Sequence, residues 1–364
     1  MPGIPTDFTR APFLVIWETT QACDLACKHC RAEAQPERHP EELTTEEART
    51  LLRSVREFGP IIFVFSGGDA LKRPDIVELT RYGSELGLRM AITPAATPLC
   101  TTDRIEELQD AGMARLAISL DGSDAAVHDE FRQVDGSFAE GIRILETARD
   151  LGLSTQVNTV IARHNVDDLD PMATLLTELG IVFWEVFFLV PMGRARPEDV
   201  VGAEAFENTF HHLYELSSRV PYDIKATAAP HYTRVVLQRK AAARRAGVSA
   251  DGDVLTGRGS VPAGDGIGRA RGVNDGDGFL FVSHTGEIFP SGFLPVAAGN
   301  VRDHDLVEVY RESDLFVRLR DKDQLKGKCG ICPFTKVCGG SRARAFAVTG
   351  DPFAEEPYCA FTPA

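Results

Sequence analysis

Short apolar, β-branched runs alternate along the first half of the chain with longer stretches whose apolar positions recur every three or four residues. The alternation predicts strands at 12–17, 61–65, 88–92, 114–119, 153–161 and 182–189, with helices at 45–58, 74–86, 101–111, 137–150 and 167–179 between them. Thr44 and Glu47 form a capping box at the start of the first helix. Gly152 stands just past the 137–150 helix, where a stop is expected. Six strands joined by right-handed helical crossovers read as a parallel α/β layout, and in a barrel-like closure the loops after the strands share one mouth. Beyond this region residues 251–278 carry nine glycines, including "GDGIG". No apolar strand leads in and no helix with a downstream acid follows, so the stretch reads as a mobile or substrate-covering loop, not a dinucleotide site. "GFLFVSHTGEIFPSG" then alternates like a hairpin with Thr285-Gly286 as its turn.

Composition narrows the partners. The 364 residues are 43% hydrophobic and 25% charged, an ordinary globular balance. A net charge of -14 gives no broad basic surface, which argues against nucleic acid or an anionic membrane as the main partner. The basic cluster "AARRAG" reads as a solvated helix face. No charged start is followed by an apolar targeting region, and no apolar run approaches the roughly 20 residues of a membrane span. The expectation is a soluble, cytoplasmic protein. In that reducing compartment clustered thiols point to metal or redox chemistry before disulfides. Eight cysteines fall into Cys23, Cys27 and Cys30 as CxxxCxxC after the first strand, Cys329, Cys332, Cys338 and Cys359 near the end, and Cys100 alone, which reads as a buried small hydrophobe. Four thiolates close the coordination of a [4Fe-4S] cluster, whereas three leave one iron open to a small molecule. Zinc is the competing reading for both sets.

The CxxxCxxC spacing, with His29 at the aromatic-type position before Cys30, resembles the signature of the radical S-adenosylmethionine (SAM) superfamily. "CGGSRARA" (Cys338 to Ala345) and "PSGFLPVAAGNVR" (Pro290 to Arg302) resemble the SPASM/twitch group, and within it the enzymes of alternative haem and haem d1 synthesis. The resemblance implies an α/β fold: a partial (β/α)6 TIM-type barrel with a C-terminal SPASM/twitch-like iron-sulfur domain. Its divisions are a radical SAM core at 1–225, a helical and Gly-rich linker at 226–278 and an auxiliary-cluster domain at 279–364. It implies SAM and two [4Fe-4S] clusters, with Cys23, Cys27 and Cys30 as the catalytic set. There the methionine end of SAM chelates the open iron, and one electron releases a 5'-deoxyadenosyl radical that abstracts hydrogen from substrate. Full SPASM domains draw thiolates from the hairpin. Here it has Ser283 and Ser291 instead, so a single auxiliary cluster, saturated by Cys329, Cys332, Cys338 and Cys359, is expected.

Strand ends supply the remaining candidates. Ser66, Gly67, Gly68 and Asp69 after the second strand resemble the superfamily's GGE-type motif for the SAM amino group, with Asp69 in place of Glu; a plain strand-to-helix turn is the competing reading. Ser119, Asp121 and Arg132 resemble ribose and carboxylate contacts, Asn158 a further SAM-binding position, and the backbone near Leu189 an adenine contact. Arg194 at the mouth is a candidate substrate contact; Arg342 and Arg344 beside the second cysteine set are candidates for substrate carboxylates, against ion pairing within the acidic protein itself. No histidine stands out as a haem ligand.

The haem-pathway resemblance implies hydrogen removal from a tetrapyrrole propionate, followed by decarboxylation, with an auxiliary cluster as electron acceptor. Other readings are a ribosomal-peptide maturase forming thioether or carbon-carbon crosslinks, a sugar-acid or nucleoside-acid decarboxylase, and a non-enzymatic iron-sulfur redox sensor. Only about 11 residues precede the first strand, too few for a winged-helix peptide-recognition segment. The expected partners are a small-molecule or peptide substrate and a low-potential electron donor such as flavodoxin or ferredoxin.

Overall fold

The computed structural model describes residues 7–247, Ile267 and 272–363, so most of the glycine-rich stretch, and the covering-loop expectation attached to it, lies outside the described residues. The first half runs β1 (Leu14–Glu18), α1 (Thr45–Arg56), β2 (Ile62–Ser66), α2 (Ile76–Glu85), β3 (Arg89–Ile92), α3 (Thr102–Asp110), β4 (Met113–Ser119), α4 (Ala125–Arg132), α5 (Ser137–Asp150), β5 (Ser154–Ile161), α6 (Leu169–Leu179) and β6 (Phe183–Phe188). It continues through α7 (Ala203–Leu216), β7 (Asp223–Thr227) and α8 (Tyr232–Arg245) to β8 (Phe279–Val282), β9 (Glu287–Phe289) and β10 (Gly299–Asn300), then α9 (Leu306–Glu312), α10 (Asp314–Arg320), α11 (Gly327–Gly330) and α12 (Arg342–Thr349).

The six predicted strands and five predicted helices are all present, and β1 to β6 pair in parallel in chain order. Thr44 caps α1: its hydroxyl accepts the Glu47 N–H, and the Glu47 carboxylate accepts the Thr44 N–H at 2.8 Å. In β5 the two faces separate cleanly. Thr155, Val157, Thr159 and Ile161 are buried under the helices, while Ser154, Gln156, Asn158 and Val160 are half-buried on the inner face. Helix residues such as Leu52, Ile144 and Leu176 close the same core. Burying each such side chain contributes roughly 1.5–3 kcal/mol.

The sheet runs past the six expected strands. Its order is β10-β9-β8-β1-β2-β3-β4-β5-β6-β7. β7 pairs in parallel with β6, and a boundary after 225 falls inside that strand. β7 escapes a hydrophobicity scan because "DIKAT" puts Lys225 and Thr227 on the polar inner face, where both bind the Glu185 carboxylate of β6, at 3.0 and 2.6 Å. On the opposite edge the expected hairpin forms, with Phe281 opposite Phe289, but β8 also pairs in parallel with β1. The hairpin that opens the C-terminal region therefore shares the barrel's sheet. α4 is an addition to the predicted helices, its eight residues sitting inside the stretch read as ligand contacts; Asp124 caps it and His128 and Phe131 are its buried face. Among the described residues no helix is long and apolar enough to cross a membrane.

Candidate functional site

After β1 the chain turns at Thr19 and Thr20 and enters the first cysteine loop. The SGGD segment after β2 holds that loop by its backbone: Gly68 N–H donates to Thr20 O at 2.8 Å, and Asp69 N–H to Ala22 O at 2.7 Å. A Cβ on Gly67 would lie 2.4 Å from Thr20 O, and one on Gly68 2.4 Å from Ala22 O. Gly67 also has φ +134°, a conformation open to glycine. The glycines thus permit close approach to the cysteine loop itself. Gly68→Ala is expected to displace residues 20–22 and to cut iron and sulfide per chain toward half, measured on anaerobically reconstituted protein.

The three thiols are set in a small cluster with Leu25, Ala34 and Ala95. Backbone N–H groups of Leu25 and Ala34 point at the Cys23 and Cys30 sulfurs, each at 3.4 Å, and the Arg132 guanidinium lies 3.7 Å from the Cys27 sulfur. Burial pushes the Cys23 thiol up to about 12 and raises Cys27 as well, so a proton would stay on each unless iron displaced it. Charge-oriented donors on sulfurs are what an iron-sulfur cluster needs from its protein.

Asp121 and Arg132, expected to touch SAM directly, form an ion pair in which Asp121 is fully buried and Arg132 mostly so. Arg132 approaches one Asp121 oxygen at 2.5 Å, His29 approaches the same oxygen at 3.6 Å, and Val160 N–H donates to the other at 2.7 Å. Burial opposes the Asp121 charge, yet Arg132 and then His29 hold its carboxyl below the usual range. Asp121 therefore positions Arg132 against Cys27. His29 stacks on Phe131 with ring centroids 4.2 Å apart, and Phe131 stacks on His164 at 3.9 Å. Phe131 and His164 are not singled out by the sequence. Phe131 lies in α4 and His164 just past β5, and the fold brings them together. Ser119 at the end of β4 lies beside Asn158 in the middle of β5, both half-buried on the inner face.

Five of the expected contact residues have partners within the protein itself. Asp69 is fully buried, and its oxygens accept from Leu71 N–H at 3.1 Å and the Thr97 hydroxyl at 2.7 Å, so its carboxylate ties loops together. Leu189 has both backbone groups engaged: its N–H donates to Ile161 O, and its carbonyl accepts from Arg344 at 3.2 Å. Arg194 clamps the cysteine loop through its N–H to Cys30 O and its guanidinium to Ala34 O. Arg342 and Arg344 are buried. Arg342 donates to Pro352 O and Ala354 O, while Arg344 pairs with Glu356 at 3.2 Å and lies over the Phe206 ring. Arg344 thus makes an ion pair with a carboxylate of the protein, whereas the Arg194 and Arg342 guanidinium groups donate to backbone carbonyls.

The second cysteine set encloses a cavity. Cys329, Cys332, Cys338 and Cys359 all stand in its wall, together with His231, Arg234, Lys328 and Glu356. Glu356 N–H points at the Cys329 sulfur at 3.3 Å, Gly340 N–H at Cys338 at 3.3 Å and Phe334 N–H at Cys332 at 3.5 Å. Burial pushes Cys338 up to about 12 and raises Cys329 and Cys359. A four-thiolate wall with three N–H donors on its sulfurs fits a [4Fe-4S] cluster. Glu356 carries no local signal in the sequence. It is held at the cavity by Arg344 of α12, which is itself tied to the carbonyls of Phe188 and Leu189 at the end of β6, so its place is set by tertiary packing.

A parallel sheet with a three-cysteine loop after its first strand points to a class of protein, and comparison bears it out. Residues 17–176 match the Radical SAM superfamily. The chain is 40% identical over 355 residues to the AdoMet-dependent heme synthase of Methanosarcina barkeri, covering 98% of each chain, and it belongs to the radical SAM superfamily of enzymes. It is also 40% identical to the AdoMet-dependent heme synthase of Nitratidesulfovibrio vulgaris, over 96% of this chain and 92% of that one. Among solved structures, Streptococcus suis SuiB bound to S-adenosylmethionine shares the fold with a TM-score of 0.70 at 15% identity, over 97% of this chain and 78% of that one.

Proposed function

We propose that the chain removes carboxyl groups from the propionate side chains of an iron-bearing tetrapyrrole in haem-type biosynthesis, in the cytoplasm, with a SAM-binding cluster on Cys23, Cys27 and Cys30 and an auxiliary cluster on Cys329, Cys332, Cys338 and Cys359. The observation that carries this reading is identity of 40% to a heme synthase over nearly the full length of both chains. When bound, SAM and the first cluster supply the radical that takes a hydrogen atom from the substrate. The protein's own groups orient and shield: Arg132, held by Asp121, sits beside Cys27, and Arg194 fixes the end of the cysteine loop. Across the inner face Gln156 donates to Asn158 and Glu185, and Glu185 accepts from Lys225 and Thr227. That polar ladder orients SAM and a carboxylate-bearing substrate, with Lys225 the cation in place of Arg194, Arg342 and Arg344. Loss of a hydrogen atom, CO2 and one electron turns a propionate into a vinyl group. The electron needs an acceptor, the role given to the four-thiolate site. A flavodoxin or ferredoxin is the proposed donor for SAM cleavage.

The test is anaerobic incubation with SAM, a low-potential reductant and iron-coproporphyrin III, following 5'-deoxyadenosine and porphyrin mass. Carboxyl loss coupled to deoxyadenosine is the expected result. Deoxyadenosine with an unchanged porphyrin would overturn the substrate and leave a peptide or sugar acid; neither product from protein carrying both clusters would leave a redox sensor.

A further inference from the structure

His231 is a buried polar group without a partner at the four-cysteine cavity. It stands just before α8, is 1% exposed, and neither ring nitrogen has a hydrogen-bond partner. Its ring is fixed by stacking on Phe206 with centroids 5.5 Å apart and by an edge contact with Phe210 at 4.7 Å. It shares the cavity wall with all four cysteines. The charged groups around it, Glu356, Arg344, Arg234 and Lys328, do not satisfy it: Glu356 accepts instead from Ser341 N–H, Tyr358 N–H and Arg344. A native structure seldom leaves a buried ring N–H unpaired without a use for it.

On the reading that an auxiliary cluster fills this cavity, we propose that His231 donates a ring N–H to a sulfur of that cluster and thereby sets its reduction potential. Four thiolates already complete the four irons, so the imidazole is left as a donor and not a ligand. Reduction adds one electron and makes the sulfurs more negative; a donor stabilises that form more than the oxidised one and raises the potential. His231 is in this sense a positioning residue for the electron acceptor. It makes the four-cysteine site a better sink for the electron left by decarboxylation.

The experiment is an EPR-monitored redox titration of the full-length protein with both clusters, the SAM-binding cluster being recognised by the change in its signal when SAM is added. His231→Phe is expected to shift the auxiliary cluster's reduction equilibrium about tenfold toward the oxidised form, which is 59 mV for a one-electron couple. His231→Gln, which keeps an N–H donor, is expected to recover much of the shift. In protein carrying 15N-histidine, the reduced auxiliary cluster should show a weak nitrogen coupling that His231→Phe removes. An unchanged potential in His231→Phe with full iron content overturns the proposal, as does a strong coupling that marks a nitrogen bonded to iron. If His231→Phe loses the cluster, the wild-type coupling decides: no coupling overturns the proposal. Wild-type protein with only about four irons per chain would sink the auxiliary-cluster reading on which the proposal rests.

Discussion

Cys27→Ala is expected to abolish 5'-deoxyadenosine formation and to leave about half the iron, roughly four atoms per chain. Cys338→Ala should lose a similar amount of iron yet still cleave SAM, without carboxyl loss from iron-coproporphyrin III. The contrast follows from the two surroundings. Cys27 is buried beside Arg132, and Arg132 is held by Asp121, which is itself fully enclosed. Removing the sulfur deprives the loop of a ligand and leaves the guanidinium with one anion fewer in a site where solvent cannot compensate. The four-cysteine wall lies on other elements, α11, the turn after it, the segment leading into α12 and the C-terminal turn, so its loss should leave the SAM site intact. Iron analysis, deoxyadenosine assay and porphyrin mass on the two variants side by side check this. Equal loss of deoxyadenosine in both would show that the sites are not separable in this way.

Much of the frame was legible because it is written locally. Period-two and period-3.6 patterns marked β1 to β6 and their helices, and Thr44 and Glu47 announced α1. Cysteine spacing marked both thiol sets, since a cluster loop needs its ligands close in sequence. What was not legible depends on pairing at a distance. Lys225 and Thr227 look like ordinary polar residues until β7 places them against Glu185. Asp69, Leu189 and Arg344 stand where a ligand contact was expected, and each also has a partner within the protein: Thr97, Ile161 and Glu356. A motif gives a residue's place along the chain. It does not say which neighbour reaches that residue first.

Arg344 gives the sharper test of that distinction, because a substrate anchor and an internal tie fail differently. Its guanidinium pairs with Glu356 and donates to the carbonyls of Phe188 and Leu189, at 2.9 and 3.2 Å, so it joins α12 to the end of β6. Glu356 is also buried. Burial opposes its charge, but Arg344 and then His231 keep its carboxyl below the usual range. Arg344→Ala would strand that carboxylate and free two strand-end carbonyls, and breaking a buried pair in this way costs about 3–5 kcal/mol. The sign with pH follows: a depressed folded-state carboxyl contributes stability above its unfolded value near 4.5, and that contribution is lost as pH falls through the lower folded value. The variant should therefore unfold at much lower denaturant than the wild type at neutral pH, with deoxyadenosine formation in the surviving folded fraction little changed. Arg344→Ala with Glu356→Gln should recover part of the loss, because the stranded charge is gone. Unchanged stability with a raised KM for the tetrapyrrole would return Arg344 to the substrate site.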